Sequence, residues 1–578
     1  MPIDPEIEKS IRIVALKNSI EHDGKAQFDA VISKFIGLRP EQRGQIKTLI
    51  PEIKTIIQTI NSTPLSKQRS LLEELAPGET TSKKHPTIEH QQLPPLEGAV
   101  QGKVITRFPP EPNGYPHIGH AKAAIIDQEY ARMYGGKLIL RFDDTNPLNE
   151  KLEYYEAISE GLEWLKVDPD FVKNTSDDIE LLHSYGKKLV ISGAAYVCTC
   201  SQEKIHDLRA KGIPCECRQE SASSPDKMKK MFDGTYDQNQ AIIRFKGNMM
   251  DQNTAMRDPT LFRIIEGEHP KLGNKVRVWP TYDFAAPVED SIDGVTHAMR
   301  TKEYELRNAL YFAILDRLAL RKPVMMEFSR LEFEGIPVSK RKIKPLIERG
   351  IIKSWDDPRL PTLAAFRRRG FVPEAIRKFV LSLGLTLSET KPPFETLEAF
   401  NRKIIDPISP RLFFVRNPIE LLISGAKEKE VVIKNHPSDT SLGTRKVQVA
   451  DRFYISGDDA INLRVNDEIR LIELYNIKIK EINLSKESHS IYAEIGSNEI
   501  IQSMPKVQWI AKNDIVDYRV IIPKELYIGE NYNTNSLEIA QGFAESFLSS
   551  FKIGTRIQLV RFGFCRIDSK NQAILTHR

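Results

Sequence analysis

Residues 103–142 read KVITRFPPEPNGYPHIGHAKAAIIDQEYARMYGGKLILRF, and this stretch decides the fold. A short β-branched run comes first, a loop rich in proline and glycine follows, and a helical pattern then begins at Ile118. Gly135 and Gly136 end that helix, and residues 137–142 have the composition of a second strand. Strand, helix and strand joined by short connections predict a parallel, doubly wound sheet.

The loop and the start of the helix, PEPNGYPHIGH at 110–120, suit a triphosphate. The first turn of a helix has unpaired N–H groups and a partial positive charge. His117 and His120 lie three residues apart on one helical face and can donate to the same phosphates, and Gly119 removes a side chain where a nucleotide must approach. The alternative is two surface histidines after a proline-rich turn, because H-x-G-H also occurs by chance. The strand before it and the helix after it favour the binding site.

A dense basic loop follows the apolar segment VMMEFSRLEF at 324–333. An isolated basic run is more often a solvated surface. On the same sheet as a phosphate site, however, it would act as a lid over ATP. Its polar and basic residues are Ser339, Lys340, Arg341, Lys342 and Lys344.

The segment Arg141-Phe142-Asp143-Asp144-Thr145 ends the second predicted strand. Ligands of open α/β sheets bind at the carboxyl ends of the strands, so a carboxylate here can pair with a substrate ammonium group. The alternative is that these aspartates cap the next helix.

Composition and length fit a cytoplasmic protein of several domains. A chain of 578 residues exceeds one core. We expect no membrane span and no secretory signal, because no apolar run of about 18 residues occurs and the first residues are charged. Five cysteines fit a reducing compartment. The net charge of +5 implies that any anion-binding surface is local.

Four of the cysteines form two C-x-C pairs separated by 14 residues. Four thiolates could bind one tetrahedral Zn²⁺, and four sulfur ligands leave no open position for catalysis. Free buried thiols are the alternative. The residues concerned are Cys198, Cys200, Cys215 and Cys217.

Four blocks in this order resemble the class I glutamyl- and glutaminyl-tRNA synthetases: TRFPPEPNGYPHIGHAKAA, RFDDTNP, PTYDFAAPVEDSIDGVTH and MEFSRLEFEGIPVSKRKIKPLI. The HIGH sequence is intact, and Pro337-Val338-Ser339-Lys340-Arg341 is similar to the family's second signature. The resemblance implies a ligase that forms an aminoacyl adenylate and then charges tRNA, with ATP and Mg²⁺. The two C-x-C pairs also resemble the zinc-binding insertion of some family members, which implies a structural Zn²⁺.

The resemblance implies roles for individual residues. His117, His120 and Lys340 are the expected catalytic residues. The expected ATP-binding residues are Pro110, Glu111, Pro112, Asn113, Gly114, His117, Gly119, His120, Thr301, Arg330, Leu331, Val338, Ser339 and Lys340. The expected amino-acid-binding residues are Arg107, Asp143, Tyr282 and Arg300.

The expected choice of substrate rests on Arg107 and Arg300. In the glutaminyl enzymes the position matching Arg300 is usually uncharged, whereas a planar guanidinium suits a glutamate side chain. An unpaired buried guanidinium would penalise neutral glutamine. The alternatives are that Arg300 pairs with Glu303 or Glu305, that the enzyme is glutaminyl, or that it is a small-molecule nucleotidyltransferase sharing H-x-G-H.

The remaining expectations concern tRNA. Arg367, Arg368 and Arg369 suit stem phosphates, or are ordinary surface charge. Many short strands from about residue 431 predict β-barrels, which bind splayed bases and resemble the anticodon-binding region of archaeal and eukaryotic members. We therefore expect L-glutamate and tRNA(Glu), with or without tRNA(Gln), as partners.

The predicted fold class is multidomain α/β: a Rossmann-like catalytic domain with an insertion, a helical N-terminal appendage, a helical stem-contact region and C-terminal β-barrels. The predicted parts are the appendage 1–76, a linker 77–98, the first catalytic half 99–192, the acceptor-stem and zinc insertion 193–280, the second catalytic half 281–345, the stem-contact domain 346–425 and the barrels 426–578.

Overall fold

The computed structural model describes residues 4–21, 24–39, 42, 46–76, 93–338, 340–389, 391–484 and 489–578. Ser339, most of the predicted linker 77–98 and the side chain of Lys340 therefore lie outside the described residues. The chain divides into two compact units, 1–90 and 91–578.

The first unit is helical. Its core forms where the apolar faces of the helices meet, and it includes Ile11, Phe35, Ile53 and Ile56. The recurrence of isoleucine at helical spacing explains why these segments pack as helices. The helices are α1 (Pro5–Glu21), α2 (Phe28–Leu38), α3 (Ile46–Asn61) and α4 (Leu65–Leu75).

The second unit begins with strands and helices in alternation. The elements are β1 (Ile105–Phe108), α5 (Ile118–Met133), β2 (Lys137–Phe142), α6 (Leu152–Leu165), β3 (Phe171–Asn174) and α7 (Ile179–Ile191). Strands β1, β2 and β3 pair in parallel, which confirms the predicted doubly wound sheet. Five successive residues of β2 are buried, as expected for a parallel strand covered on both faces.

An antiparallel sheet interrupts this alternation. It has the strand order β4-β5-β6-β7 and lies inside the range predicted as an insertion. The elements are β4 (Ala195–Cys198), α8 (Gln202–Lys211), α9 (Glu216–Gln219), α10 (Ser224–Phe232), β5 (Ile242–Phe245), β6 (Thr260–Ile264) and β7 (Val278–Pro280).

The parallel sheet then resumes. Strands β8 and β9 pair in parallel, and the backbone N–H of Thr296 donates to the carbonyl of Ile105 at 2.9 Å, which places β8 beside β1. The two halves therefore lie edge to edge, as a three-stranded and a two-stranded parallel sheet. The elements are α11 (Tyr282–Ile292), β8 (His297–Thr301), α12 (Asn308–Leu318), β9 (Val324–Phe328), α13 (Lys340–Glu348), α14 (Leu363–Arg369), α15 (Pro373–Ser382) and α16 (Phe394–Ile405).

The C-terminal part contains two nearly closed seven-stranded sheets and two short two-stranded ones. The elements are β10 (Arg411–Leu412), β11 (Phe414–Arg416), β12 (Pro418–Ser424), β13 (Lys429–Lys434), β14 (Thr444–Val449), β15 (Arg452–Ser456), α17 (Gly457–Ala460), β16 (Glu468–Leu471), β17 (Asn476–Leu484), β18 (His489–Ile495), β19 (Lys506–Val507), β20 (Trp509–Ala511), β21 (Ile515–Pro523), β22 (Tyr527–Ile528), β23 (Asn531–Tyr532), β24 (Leu537–Glu545), β25 (Arg556–Leu559), β26 (Gly563–Ser569) and β27 (Gln572–His577).

The two sheets have the same topology, and each sheet includes one pair of short strands from the chain segment that precedes the other sheet. Their orders are β19-β16-β17-β18-β12-β15-β20 and β10-β25-β26-β27-β21-β24-β11. The short pair β10–β11 precedes the first sheet in the chain but pairs within the second, whereas β19–β20 precedes the second and pairs within the first. Strands begin at Arg411, and β12 of the first sheet also lies before residue 426, where the barrels were predicted to start.

Candidate active site

A cleft of about 1020 Å³ opens where the parallel strands end. The chain leaves β1, β2, β8 and β9 at this edge, so the side chains that follow each strand converge, as ligand-binding residues do in open α/β sheets. The predicted residues that line the cleft are Arg107, Pro110, Glu111, Asn113, His117, Gly119, His120, Asp143, Tyr282, Arg300, Thr301, Arg330 and Leu331. Among the described residues, Pro112, Gly114 and Val338 were predicted for this site and do not line it.

The two histidines of the HIGH sequence cap helix α5. His117 Nδ1 accepts from the N–H of Gly119 at 3.0 Å, and His120 Nδ1 accepts from the N–H of His117 at 3.2 Å. A neutral imidazole with an accepting Nδ1 has its proton on Nε2. Both rings therefore offer an Nε2–H donor.

Both imidazoles are held in the neutral form. Burial, followed by the proximity of His120 and Arg330, lowers the pKa of His117 well below its usual value. Burial and then Arg330 lower the pKa of His120 to about 4. The histidines can thus stabilise phosphate oxygens by hydrogen bonding, without a charge of their own to solvate.

Gly119 is required by the histidine arrangement itself. A Cβ at this position would lie 2.9 Å from His117 Cε1. The expectation that Gly119 makes room for a nucleotide stays a prediction, whereas the space it leaves for the His117 ring is observed.

The two aspartates after β2 differ in their surroundings. Asp144 is buried and accepts from the backbone N–H of Ser176 at 2.8 Å and from the hydroxyl of Tyr155 at 2.8 Å, so it anchors the turn after β3. Asp143 accepts through Oδ1 from Thr175 at 3.0 Å and from Arg141, and its buried Oδ2 has no partner among the described residues. Only Asp143 has a carboxylate oxygen left for a ligand.

Asp290 pairs with two buried arginines beneath the cleft. Its Oδ1 accepts from Arg107 Nε at 3.0 Å and from Arg141 Nη1 at 2.9 Å, and Oδ2 accepts from Tyr311 at 2.8 Å. Burial raises the pKa of Asp290, but Arg107 and Arg141 outweigh it and lower the pKa to about 2. Arg107 lines the cleft, yet part of its guanidinium is committed to this carboxylate and to the carbonyl of Met299.

Arg300 lies in a wall of aromatic rings. Its guanidinium carbon is 4.9 Å from the ring centre of Tyr304, 5.4 Å from that of Tyr311 and 5.5 Å from that of Tyr282. The residue is 5% exposed. The alternative pairing with Glu303 is not found, since Glu303 pairs with Arg330 at 3.1 Å.

Lys122 was not among the predicted site residues, although it lies in the quoted block. Its Nζ donates to the carbonyl of Ser329 at 2.5 Å and to Ser329 Oγ at 3.2 Å, next to Arg330 and Leu331. Burial lowers the pKa of Lys122 to about 8. Lys122 thus ties helix α5 to the segment that follows β9. The sequence pattern does not identify Lys122 as a site residue, because a lysine on a helix is ordinarily exposed to solvent.

Three family models match the chain in order. The model of the class I (E and Q) tRNA synthetase catalytic domain matches residues 103–407. Two models of the anticodon-binding domain of the same class match residues 409–496 and 506–568. The chain belongs to the class I tRNA synthetases of the E and Q type.

Known members of this synthetase family match along the whole chain. A glutamate–tRNA ligase of Nitrosopumilus maritimus is 48% identical over 576 residues, which cover 100% of both chains. A glutamate–tRNA ligase of Pyrococcus abyssi is 38% identical and covers 99% of this chain and 100% of its own. A crystal structure of a glutamate tRNA ligase from Elizabethkingia meningosepticum matches 53% of this chain and 70% of its own, with 22% identity and a TM-score of 0.40.

The four cysteines of the insertion converge in this synthetase. Cys198 Sγ lies 3.8 Å from Cys215 Sγ, and Cys200 Sγ lies 3.8 Å from Cys217 Sγ. Four sulfurs at about 2.3 Å from a tetrahedral zinc are about 3.8 Å apart, so the spacing fits the ion. Arg244 Nη1, 3.6 Å from Cys215 Sγ, places a positive charge beside sulfurs that would be thiolates.

The three arginines predicted for tRNA have different surroundings. Arg368 donates to both carboxylate oxygens of Asp568 at 2.9 Å. Arg369 is buried and donates to Glu398 at 3.0 Å and to the carbonyl of Leu575 in β27 at 3.3 Å. Arg367, whose side chain is 50% exposed, faces Glu160 at 3.7 Å. Arg368 and Arg369 therefore join the helical region to the C-terminal sheet, and Arg367 is the most accessible of the three.

Among the described residues, no helix combines the length and the apolar character that a membrane span requires.

Proposed function

We propose that this synthetase is a glutamate–tRNA ligase that activates L-glutamate with ATP and transfers it to the 3′-terminal adenosine of tRNA(Glu). The observation that carries the proposal is the cleft, which combines neutral imidazole donors, a carboxylate oxygen without a partner and a buried guanidinium. The full-length relatives described as glutamate–tRNA ligases support the same conclusion. The five cysteines, each of them described, form no disulfide bond, which supports a cytoplasmic location.

The first step depends on the positioning of glutamate and ATP, and it requires no protein nucleophile. The glutamate α-carboxylate attacks the α-phosphorus of ATP, glutamyl-adenylate forms and pyrophosphate leaves. The Nε2–H groups of His117 and His120 donate to phosphate oxygens as charge shifts toward the leaving pyrophosphate. Lys122 keeps the Arg330–Leu331 segment against helix α5, where the nucleotide would bind. Mg²⁺ would neutralise phosphate charge when it is bound with ATP.

The amino acid is held at both of its ends. Asp143, whose Oδ2 has no partner among the described residues, accepts through that oxygen from the α-ammonium group, and Tyr282 lines the same cleft beside Arg300. Arg300 pairs with the side-chain carboxylate, for which its planar donor set is suited. In the second step a ribose hydroxyl of the terminal adenosine attacks the activated carbonyl, and AMP leaves.

The assignment is tested by ATP–pyrophosphate exchange and by charging of purified transcripts. Glutamate with tRNA(Glu) should support exchange and charging, and glutamine should support less than about 1% of that rate. Exchange with glutamine alone would make the enzyme glutaminyl, and adenylation that tRNA leaves unchanged, with no charging, would favour a nucleotidyltransferase. A tRNA(Gln) transcript included in the same assay decides whether both tRNAs are substrates.

Lys340 extends the proposal to the basic loop, on the strength of the family resemblance. It begins helix α13, and we expect its amine to contact the pyrophosphate during transfer. Lys340→Ala should reduce adenylate formation at least about tenfold while tRNA binding is retained. Lys378→Ala is the control, because Lys378 is an exposed lysine outside the basic loop that pairs with Glu374 at 2.6 Å.

We also propose that Cys198, Cys200, Cys215 and Cys217 bind one structural Zn²⁺, supported by their sulfur spacing. Purified protein should contain about one zinc per chain by elemental analysis, and Cys215→Ser should lower that content and the melting temperature together. Wild-type protein without zinc, whose stability is unchanged by a chelator, would identify these residues as buried thiols.

A further inference from the structure

Arg300 lies directly opposite Glu327 in the parallel pairing of β8 with β9. An arginine and a glutamate at registered positions can form an ion pair with two hydrogen bonds. Within the described part of the chain no such pair joins them. Asn308, the first residue of α12, stands between: its Nδ2 donates to Glu327 Oε1 at 2.5 Å, and its Oδ1 accepts from Arg300 Nη1 at 3.2 Å.

This arrangement keeps the charge of Arg300 uncancelled. A direct pair with Glu327 would occupy the guanidinium and offset its positive charge. The amide of Asn308 donates a hydrogen bond to the Glu327 carboxylate instead. It also accepts one N–H of Arg300 without adding a negative charge. Arg300 Nε is buried with no partner among the described residues, although burying an unpaired donor is costly. An unpartnered donor at the wall of the cleft therefore points to a ligand group.

We propose that Asn308 is a positioning residue for amino-acid selectivity: it separates Arg300 from Glu327 so that the guanidinium can pair with the substrate carboxylate. The inference rests on the proposed function, since it concerns the residue that would recognise glutamate. Asn308 does not line the cleft, so it acts through Arg300 and not by contact with the substrate.

The test is a double-mutant cycle measured by ATP–pyrophosphate exchange with tRNA present. Asn308→Ala removes the separating amide, so Arg300 can turn to Glu327, and the KM for glutamate should rise at least about tenfold with the KM for ATP unchanged. Glu327→Gln alone should change neither constant more than about twofold. In the double variant Arg300 has no carboxylate to pair with, and the KM for glutamate should return to within about threefold of the wild-type value.

A second, isosteric variant protects the test against misfolding. Asn308→Asp keeps the side-chain shape but pairs with Arg300 itself, so it should raise the KM for glutamate even in combination with Glu327→Gln. Melting temperatures accompany every variant. Asp316→Asn is the control on the same helix, because Asp316 is exposed and pairs with Lys322 at 2.6 Å.

Two results would overturn the inference. One is Asn308→Ala or Asn308→Asp with an unchanged KM for glutamate. The other is a double variant as impaired as Asn308→Ala, with the KM for ATP raised in parallel, which indicates general damage to the wall. A wild-type enzyme that activates only glutamine would instead overturn the proposed function, and this inference with it.

Discussion

Two groups of buried arginines in the catalytic unit have opposite surroundings. Beneath the cleft, Arg107 and Arg141 share the carboxylate of Asp290, and all three residues are at most 1% exposed. At the wall, Arg300 is 5% exposed, but it contacts an amide and aromatic rings in place of a carboxylate. Burial is nearly equal in the two groups, and the difference lies in charge compensation.

The comparison separates a structural charge from a binding charge. A buried guanidinium that shares a carboxylate is compensated in the folded state. Removal of the carboxylate leaves an uncompensated buried ion. A buried guanidinium without a carboxylate costs the fold free energy, and a substrate carboxylate can offset that cost. The two groups should therefore respond in opposite ways to substitution.

The largest expected effect is at Asp290. Asp290→Asn leaves Arg107 and Arg141 without their shared anion, so the unfolding free energy should fall by about 3–5 kcal/mol. Urea denaturation followed by tryptophan fluorescence measures the change. Asp316→Asn, which removes an exposed carboxylate, should change stability by less than about 0.5 kcal/mol. Equal losses in the two variants would contradict the structural role of the Asp290 cluster.

Arg300 should show the reverse pattern. Arg300→Leu removes a buried charge that has no carboxylate partner, so stability should be unchanged or slightly higher. The kcat/KM for glutamate should fall by about 10²–10³, since a charge-assisted contact to the substrate is lost. Paired measurements of melting temperature and exchange kinetics test this. A destabilised variant that retains selectivity for glutamate would mean that Arg300 belongs with the structural arginines.

The convergence of the cleft could be predicted from the sequence because it is local. The HIGH histidines, Asp143 and Arg330 each follow a strand of the parallel sheet, and the carboxyl ends of parallel strands share one edge. Whether a buried residue is compensated depends on partners far away in the chain. Asp290 lies 183 residues from Arg107 and 149 from Arg141, so no local pattern distinguishes these arginines from Arg300.

The C-terminal sheets illustrate a second limit of sequence patterns. Their strand character and the barrel-like fold were predicted, and both are confirmed. The exchange of β10–β11 with β19–β20 was not predicted, because strand propensity is a property of each segment and pairing depends on its distant neighbours. Aromatic contacts mark the crossing: Phe413 packs on Trp509 with ring centres 5.7 Å apart.

A smaller effect is expected from the uncharged histidines. The pKa of His120 is about 4 in the folded protein, below the ordinary value of 6.5, so protonation favours the unfolded chain. Its stabilising contribution is complete above pH 6.5 and is lost as the pH falls toward 4, up to about 3 kcal/mol. The melting temperature of the wild type should therefore decline more steeply between pH 7 and 4.5 than that of His120→Asn. His206→Asn, at an exposed position, should keep the wild-type slope.

The smallest expected effect extends the comparison to the predicted tRNA-binding arginines. Arg367→Ala should weaken tRNA(Glu) binding by a few-fold. The slope of the logarithm of the binding constant against the logarithm of the salt concentration should become shallower by about one, as expected for the loss of one phosphate contact. Arg368→Ala breaks the paired hydrogen bonds to Asp568 that join α14 to β26, so it should lower the melting temperature and leave the salt dependence unchanged. Filter binding across a salt series distinguishes the two. If both variants reduce the salt dependence equally, then an arginine that pairs with a protein carboxylate can also bind tRNA. Charge compensation would then fail to distinguish structural from binding arginines on the surface, and the distinction would be confined to the buried cleft.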